Sequence, residues 1–278
     1  MVPWWYILSW ILTDTENRML NRAELDKLYR TYNKRKYVHP DPLEFLYNYP
    51  DIRDREIVGL IASALAYGRV AQILKSVDRI LGKMGSSPYK FVFNTKPGDF
   101  LKIFCGFKHR FTTHCDIADL LGALHRILGE YGSINKCFIA GMGADDETVI
   151  PALDNFLEEL NCTGGYLIPL PRRGSACKRI HLFLRWMVRK DAVDPGGWEG
   201  ISPDRLVVPL DTHMANIGRT MGMTQRKSAN QRMALDITDV FRKITPDDPV
   251  KYDFALTRFG IHPDMEMDDL LNIKPPPA

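Results

Sequence analysis

From Asp54 to Gly68 the apolar positions Ile57, Leu60, Ile61, Ala64 and Leu65 fall at i, i+3, i+4, i+7 and i+8, the spacing of one helical face. Asp54 is placed to cap the start of that helix and Gly68 its end. The next segment repeats the spacing with Val70, Ile73, Leu74, Val77, Ile80 and Leu81, and stops near Gly85-Ser86-Ser87-Pro88. Further helices are expected over 116–131, from Asp146 or Glu147 to Leu160, and over 230–244. Asp247-Asp248-Pro249 reads as another start, with acids at the cap and proline at the first helical position. The helix it opens carries Val250, Phe254 and Phe259 and ends at Gly260. Only 165–170 and 206–210 read as extended, and both are short and bounded by proline. The fold class is therefore all-α.

No repeat or low-complexity linker divides the chain. Asp194-Pro195-Gly196-Gly197-Trp198 is the clearest loop and the natural crossing between two helical lobes around a cleft. Residues 54–190 form one lobe in this reading, and 14–53 with 191–271 form the other. Residues 1–13 are an apolar leader, shorter than the ~18 residues a membrane span needs and without a basic segment before it. It reads as a leader or as a helix lying on the body. Trp4, Trp5 and Trp10 also leave an interfacial membrane contact open. The tail 272–278, with three consecutive prolines, reads as disordered.

Composition changes this picture little. The 278 residues suffice for one large core or two smaller ones, and 45% hydrophobic with 26% charged residues is ordinary for a globular chain. A net charge of +3 permits nucleic-acid binding, whose footprint lies in local clustering rather than in the total. The five cysteines, Cys105, Cys115, Cys137, Cys162 and Cys177, are odd in number, widely spaced and without a C-x-x-C pair. That pattern argues against a disulfide framework and a structural zinc site, and for reduced, mostly buried thiols in a cytoplasmic protein. The histidines are dispersed, and His109 and His114 lack a third ligand, so neither metal nor cofactor is expected.

The chemistry concentrates in residues 166–222. A Pro/Gly-rich turn, Pro169-Leu170-Pro171-Arg172-Arg173-Gly174-Ser175, feeds a helix whose N-terminal amides suit a phosphate. Arg172, Arg173, Lys178 and Arg179 surround that turn with positive charge. On the helix, Ala176, Ile180, Phe183, Leu184, Met187 and Val188 form an apolar stripe, whereas Lys178, His181, Arg185 and Arg189 share another face. This basic face is either solvated surface or a phosphate contact. Further on, Asp211 stands directly before the helix bearing His213, Met214, Ile217 and Met221. It is placed to cap that helix, whose dipole favours a negative charge there, and a cap can also be catalytic.

These stretches resemble the helix-hairpin-helix DNA glycosylase superfamily: Leu170-Pro171-Arg172-Arg173-Gly174 entering one helix, then Pro209-Leu210-Asp211-Thr212-His213 opening the next. Over residues 24–261 the chain resembles more closely an uncharacterised, largely bacterial family at that superfamily's edge. Gly174–Arg179, Leu184–Asp191, Pro209–His213 and Asp248–Leu256 carry that likeness. The resemblance implies a helix-hairpin-helix fold that holds double-stranded DNA, with RNA not excluded. It implies that Asp211 stabilises a developing sugar oxocarbenium ion, and that Gly174, Ser175 and the amides beyond them grip a phosphate. His213 would lie near the DNA, and Tyr67 and Arg69 would fill the gap left by a flipped base. Arg172 stands where the superfamily hairpin has its first glycine, and Ala176 where a lyase would have its lysine, with Lys178 two residues on. The expected chemistry is therefore monofunctional base excision. The alternative is a nucleic-acid-binding protein that keeps the scaffold without the chemistry.

Overall fold

The computed structural model describes residues 20–161, 167–168, 174–262, 265 and 270. Within them the elements in chain order are α1 (Arg22–Tyr32), α2 (Ile52–Ala64), α3 (Val70–Met84), α4 (Pro88–Asn94), α5 (Phe100–Ile103), α6 (His114–Tyr131), α7 (Ile134–Ala140), α8 (Ile150–Leu160), α9 (Lys178–Val188), α10 (Thr212–Thr220), α11 (Gln231–Ile244) and α12 (Asp253–Ile261). Short 3-10 turns at Arg35–Tyr37, Pro42–Asn48, Pro97–Asp99 and Pro203–Arg205 connect some of them. Among the described residues the fold is all-α but for one two-stranded hairpin, β1 (Lys108–His109) with β2 (Thr112–Thr113), paired Lys108 to Thr113 and His109 to Thr112. Strands of two residues carry no alternation, and the pattern along the chain gives no sign of them. Residues 206–210 form no strand; Val208 instead donates its N–H to Thr238 Oγ1 at 3.1 Å. No helix among the described residues is long and apolar enough to cross a membrane.

Capping accounts for several boundaries. Asn230 accepts from Met233 N at 3.1 Å and starts α11, whose basic last turn, Arg242 and Lys243, suits the negative end of the helix dipole. Thr113 and Asp116 form a reciprocal capping box at the start of α6. Other expected boundaries move. Helix α2 is capped by Asp51, whose carboxylate accepts from Arg53 N, and not by Asp54. The Asp54 side chain reaches the start of α4, taking Ser87 Oγ and Tyr89 N, each at 2.8 Å. Helix α2 also stops at Ala64, four residues before Gly68. The helix expected at Asp248-Pro249 begins five residues later, at Asp253, because the Asp248 carboxylate is taken by Arg189.

Two helices cross at the centre. Every residue of α2 from Glu56 to Ala64 and every residue of α9 after Lys178 is buried. The Asp194–Trp198 segment folds back along α9. Gly196 N bonds Trp186 O at 3.0 Å and Trp198 N bonds Met187 O at 2.9 Å. The Trp198 indole packs edge-on to Phe183 of α9 and beside Phe138 of α7, ring centroids 5.1 and 5.8 Å away. Its N–H donates to Glu56, which also takes the N–H groups of Ile134 and Asn135 at the start of α7. Two of the described cysteines, Cys105 and Cys115, are exposed and two, Cys137 and Cys177, are buried.

The basic face of α9 is neither solvated nor a phosphate contact beyond its first turn. His181, Arg185 and Arg189 are 2–3% exposed. Burial pushes His181 down to about 4, which keeps its ring neutral. Arg185 and Arg189, one turn apart, both bind Asp194; Arg185 also binds Asp253, and Arg189 binds Asp191 and Asp248. Asp191 in turn accepts the Tyr29 hydroxyl of α1 at 2.9 Å. Two guanidinium groups thus join α1, α9, the returning loop and the start of α12.

Removing one member of a buried ion network leaves its partners charged in a dry interior, at a cost of about 3–5 kcal/mol. Arg185→Met is expected to lower unfolding free energy by that amount in urea denaturation, far more than Arg53→Met on the surface. A second test concerns Glu56. Burial pushes it up to about 7 against the three donors that favour its charged form. Between the ordinary glutamate range and that value the native protein holds a proton that the unfolded chain has lost, so this contribution to stability fades as pH rises from 5 to 8. Wild type should lose about 2–3 kcal/mol over that interval relative to Glu56→Gln; parallel curves for the two proteins would refute the assignment.

Candidate functional site

Asp211 is the N-cap of α10, its Oδ1 accepting from Met214 N at 2.8 Å. It is half-buried and opens on a cavity of about 530 Å³. Around the cavity stand the ring of Tyr67, Lys178 from the first turn of α9, and His213 from α10. Apolar walls come from Val70, Ile73, Leu182, Leu210 and Ile261, from Pro42 at the start of the 3-10 segment before α2, and from Pro40 just ahead of it. The site brings together five parts of the chain far apart in sequence.

One polar wall escaped the reading of the sequence. Asp41 lines the same cavity. Its Oδ1 caps the 3-10 turn through Leu43 N at 3.0 Å, and its Oδ2 takes Arg258 Nη2 at 3.0 Å. Arg258 is 2% exposed and lies 4.4 Å over the Phe254 ring, so the pair pins the N-terminal wall to α12. The Asp41-Pro42 dipeptide does carry the signal of a capped turn; nothing local joins it to Arg258.

Gly260 is the second missed element. It lies inside α12 rather than at its end, and a Cβ there would fall 2.1 Å from His213 Nδ1 and 2.7 Å from its Cγ. The missing side chain is what lets the imidazole, which lines the cavity, pack directly against α12.

The remaining expected residues scatter. Arg69 is exposed at the start of α3, next to the cavity wall but outside the lining. Arg179 is buried, donating from Nη1 to Ala64 O at 2.8 Å with its guanidinium 4.8 Å over the Tyr67 ring. It braces the turn after α2 from within the protein. Gly174 is exposed with φ +76°, and Ser175 Oγ accepts from Cys177 N at 3.2 Å, a local turn leading into α9. Arg172 and Arg173 lie outside the described residues. Of the basic cluster, Lys178 alone is placed at the cavity among the described residues.

The Tyr67 hydroxyl is also committed. It donates to His109 O at 2.9 Å and shares a 2.6 Å bond with Thr112 Oγ1. The ring is left as a wall, and the tip is tied to the β1–β2 hairpin. Beneath the site, burial pushes Asp253 up to about 6 despite Arg185 beside it, and the charge of Asp211 adds to that push. The cap carboxylate and the buried ion network are therefore electrically coupled.

A model of the family described as a protein of unknown function, DUF2400, matches residues 41–262, and the chain belongs to that family. Comparison with curated proteins and with solved structures gives no match.

Because a Cβ at position 260 and the His213 ring cannot occupy the same space, Gly260→Ala should turn the imidazole away from α12. The expected readout is a displaced His213 signal in the histidine ring-proton NMR spectrum, with the other histidines unmoved, and a stability loss of about 1–3 kcal/mol from overpacking. An unshifted His213 resonance would show that the close packing is not obligatory.

Proposed function

We propose that the chain binds DNA and excises a damaged base, with Asp211 stabilising positive charge on the sugar as the glycosidic bond breaks. The observation that carries this reading is the setting of Asp211. A carboxylate fixed by a helix N-terminus opens on a cavity large enough for a nucleobase, beside an aromatic wall, a lysine and a histidine. A preoriented negative charge in a half-dry site is what a cationic transition state requires. The likeness to the helix-hairpin-helix glycosylases assigns the same aspartate the same task. In the monofunctional form, water adds to the sugar carbon as the base departs.

The placement of Lys178 in the same cavity supports a second form of the reaction, in which its amine rather than water attacks the sugar carbon. A panel of damaged-base duplexes separates the two: strand breaks only after alkali mark the monofunctional enzyme, whereas breaks without alkali and a borohydride-trapped adduct lost in Lys178→Ala mark the other. Tight binding with no base release marks a non-catalytic binding protein on this scaffold.

Asp211→Asn isolates the charge. Asparagine caps helices about as well as aspartate, so stability should change by no more than about 1 kcal/mol. Base release should fall by about 10²–10³-fold while DNA binding persists or tightens. Equal turnover by wild type and variant would remove Asp211 from the chemistry.

A further inference from the structure

We propose that the cationic turn leading from α1 to the cavity, Arg30 to Lys36, holds the phosphate backbone of the nucleic acid whose nucleotide enters the Asp211 cavity. This rests on the nucleic-acid reading above and names a surface for the strand separate in the chain from the basic turn before α9. Between Asp26 and Asp41 the chain carries Lys27, Arg30, Lys34, Arg35 and Lys36 and no carboxylate. The run lies ahead of residue 41, where the family match begins, and ahead of the stretches that carry the likeness to the glycosylases.

The acids that flank the run are engaged elsewhere. Asp26 accepts Lys251 Nζ at 2.7 Å and the Tyr252 hydroxyl at 3.0 Å, and Asp41 takes Arg258. Glu44 Oε2 lies 2.8 Å from His39 Nδ1. Arg30, Lys34, Arg35 and Lys36 are all exposed, and none forms an ion pair with a described residue.

Two of these cations are nevertheless held in place, by rings. The Arg35 guanidinium lies 3.6 Å over the Tyr47 ring, and the Tyr47 hydroxyl donates to Val193 O at 2.6 Å. That platform is therefore fixed to the segment that follows α9. A guanidinium stacked by one face keeps its N–H donors in its own plane, where they fork onto phosphate oxygens. Lys36 Nζ lies 4.7 Å over the Tyr37 ring, which packs on Tyr32, and Tyr32 meets Phe259 of α12 edge-on at 5.0 Å. Helix α12 also carries Gly260 beneath His213, so the cations and the cavity share one support. A ring orders a cation without neutralising it, which leaves the charge available to a partner.

The position of the run selects that partner. Pro40, four residues beyond Lys36, lines the cavity, so the two are separated by at most about 14 Å of chain. A strand with one nucleotide in the cavity passes its neighbouring phosphates within that reach, and cations that meet phosphates release counterions. A lipid surface is matched instead by cations beside exposed apolar side chains. The large ones described, Phe93, Leu101 and Phe111, belong to α4, α5 and the β1–β2 hairpin.

The experiment titrates the full chain with a duplex carrying a tetrahydrofuran abasic analogue, and with the matching single strand, over a series of salt concentrations. The double variant Arg35→Gln, Lys36→Gln should bind about tenfold more weakly near ~0.1 M salt and flatten the salt dependence by about two counterions. Arg35→Gln alone should flatten it by about one, and Arg35→Lys should leave it unchanged because the charge remains. Thermal unfolding of the double variant should match wild type, since both side chains are exposed. If wild type binds and the double variant equals it in affinity and salt dependence, the proposal is overturned and the Asp211 reading survives. If wild type binds neither duplex nor single strand, both fall together. Binding to phosphatidylserine vesicles but to no nucleic acid, lost in the double variant, would overturn the proposal by assigning the same cations to a membrane.

Discussion

Two arginines one turn apart on a helix that water does not reach set the constraint on which the rest of the structure depends. Arg185 and Arg189 cannot shed their charge, so the segments around α9 must bring carboxylates to them. Asp194 comes from the returning loop, Asp253 from the start of α12, Asp248 from the turn before it, and Asp191 carries the link to Tyr29 of α1. Such pairs add little net stability over well-packed apolar side chains, since desolvation offsets most of the attraction. What they impose is geometry, because a shift of one side chain strands a charge. That geometry fixes where α12 begins, and α12 carries Gly260 beneath His213 and Arg258 behind Asp41.

The same network gives the cavity its electrical character. Four aspartates answer two arginines, so the balance beneath the site is negative. The raised value of Asp253 records both its burial and the proximity of Asp211. Asp41 is partly neutralised by Arg258, and Lys178 supplies the opposing charge on the other wall. A field of that sign favours a ligand or a transition state that develops positive charge, which is the requirement of the proposed base excision. It is poorly suited to an anion held at the Asp211 end of the cavity.

The sequence disclosed what is local. The 3.6-residue period located α2, α3, α6, α8, α9, α10 and α11, and the side-chain acceptors at Asp211 and Asn230 marked two starts to the residue. It failed where a distant partner competes for a local signal. Asp54 looks like a cap and serves another helix; Asp248 looks like a cap and serves Arg189. The face of α9 holding His181, Arg185 and Arg189 looks like surface because its acids lie up to 68 residues further along the chain. Of the site, Asp211, His213, Lys178 and Tyr67 were legible. Asp41 needs Arg258 to be seen as a wall, and Gly260 is informative only once His213 lies against it. Whether Asp211 acts on DNA is a question of chemistry that neither period nor cap can answer.

Helix α9 ties these levels together. Its C-terminal half holds Arg185 and Arg189 in the ion network, while its first turn offers Lys178 to the cavity and Arg179 to the turn after α2. Between Lys178 and Arg189 the helix rises about 16 Å. Arg179 lies over the Tyr67 ring, the Tyr67 hydroxyl holds Thr112 and His109 O, and the hairpin they anchor presents Phe111. An unbroken series of contacts therefore runs from the buried charges to the exposed ring. Each step is a directional bond or a close-packed ring rather than loose apolar contact. Helix α9, buried after Lys178, is the rigid element to which the cavity wall and the hairpin are both referred, because the ion network at its far end keeps it from sliding.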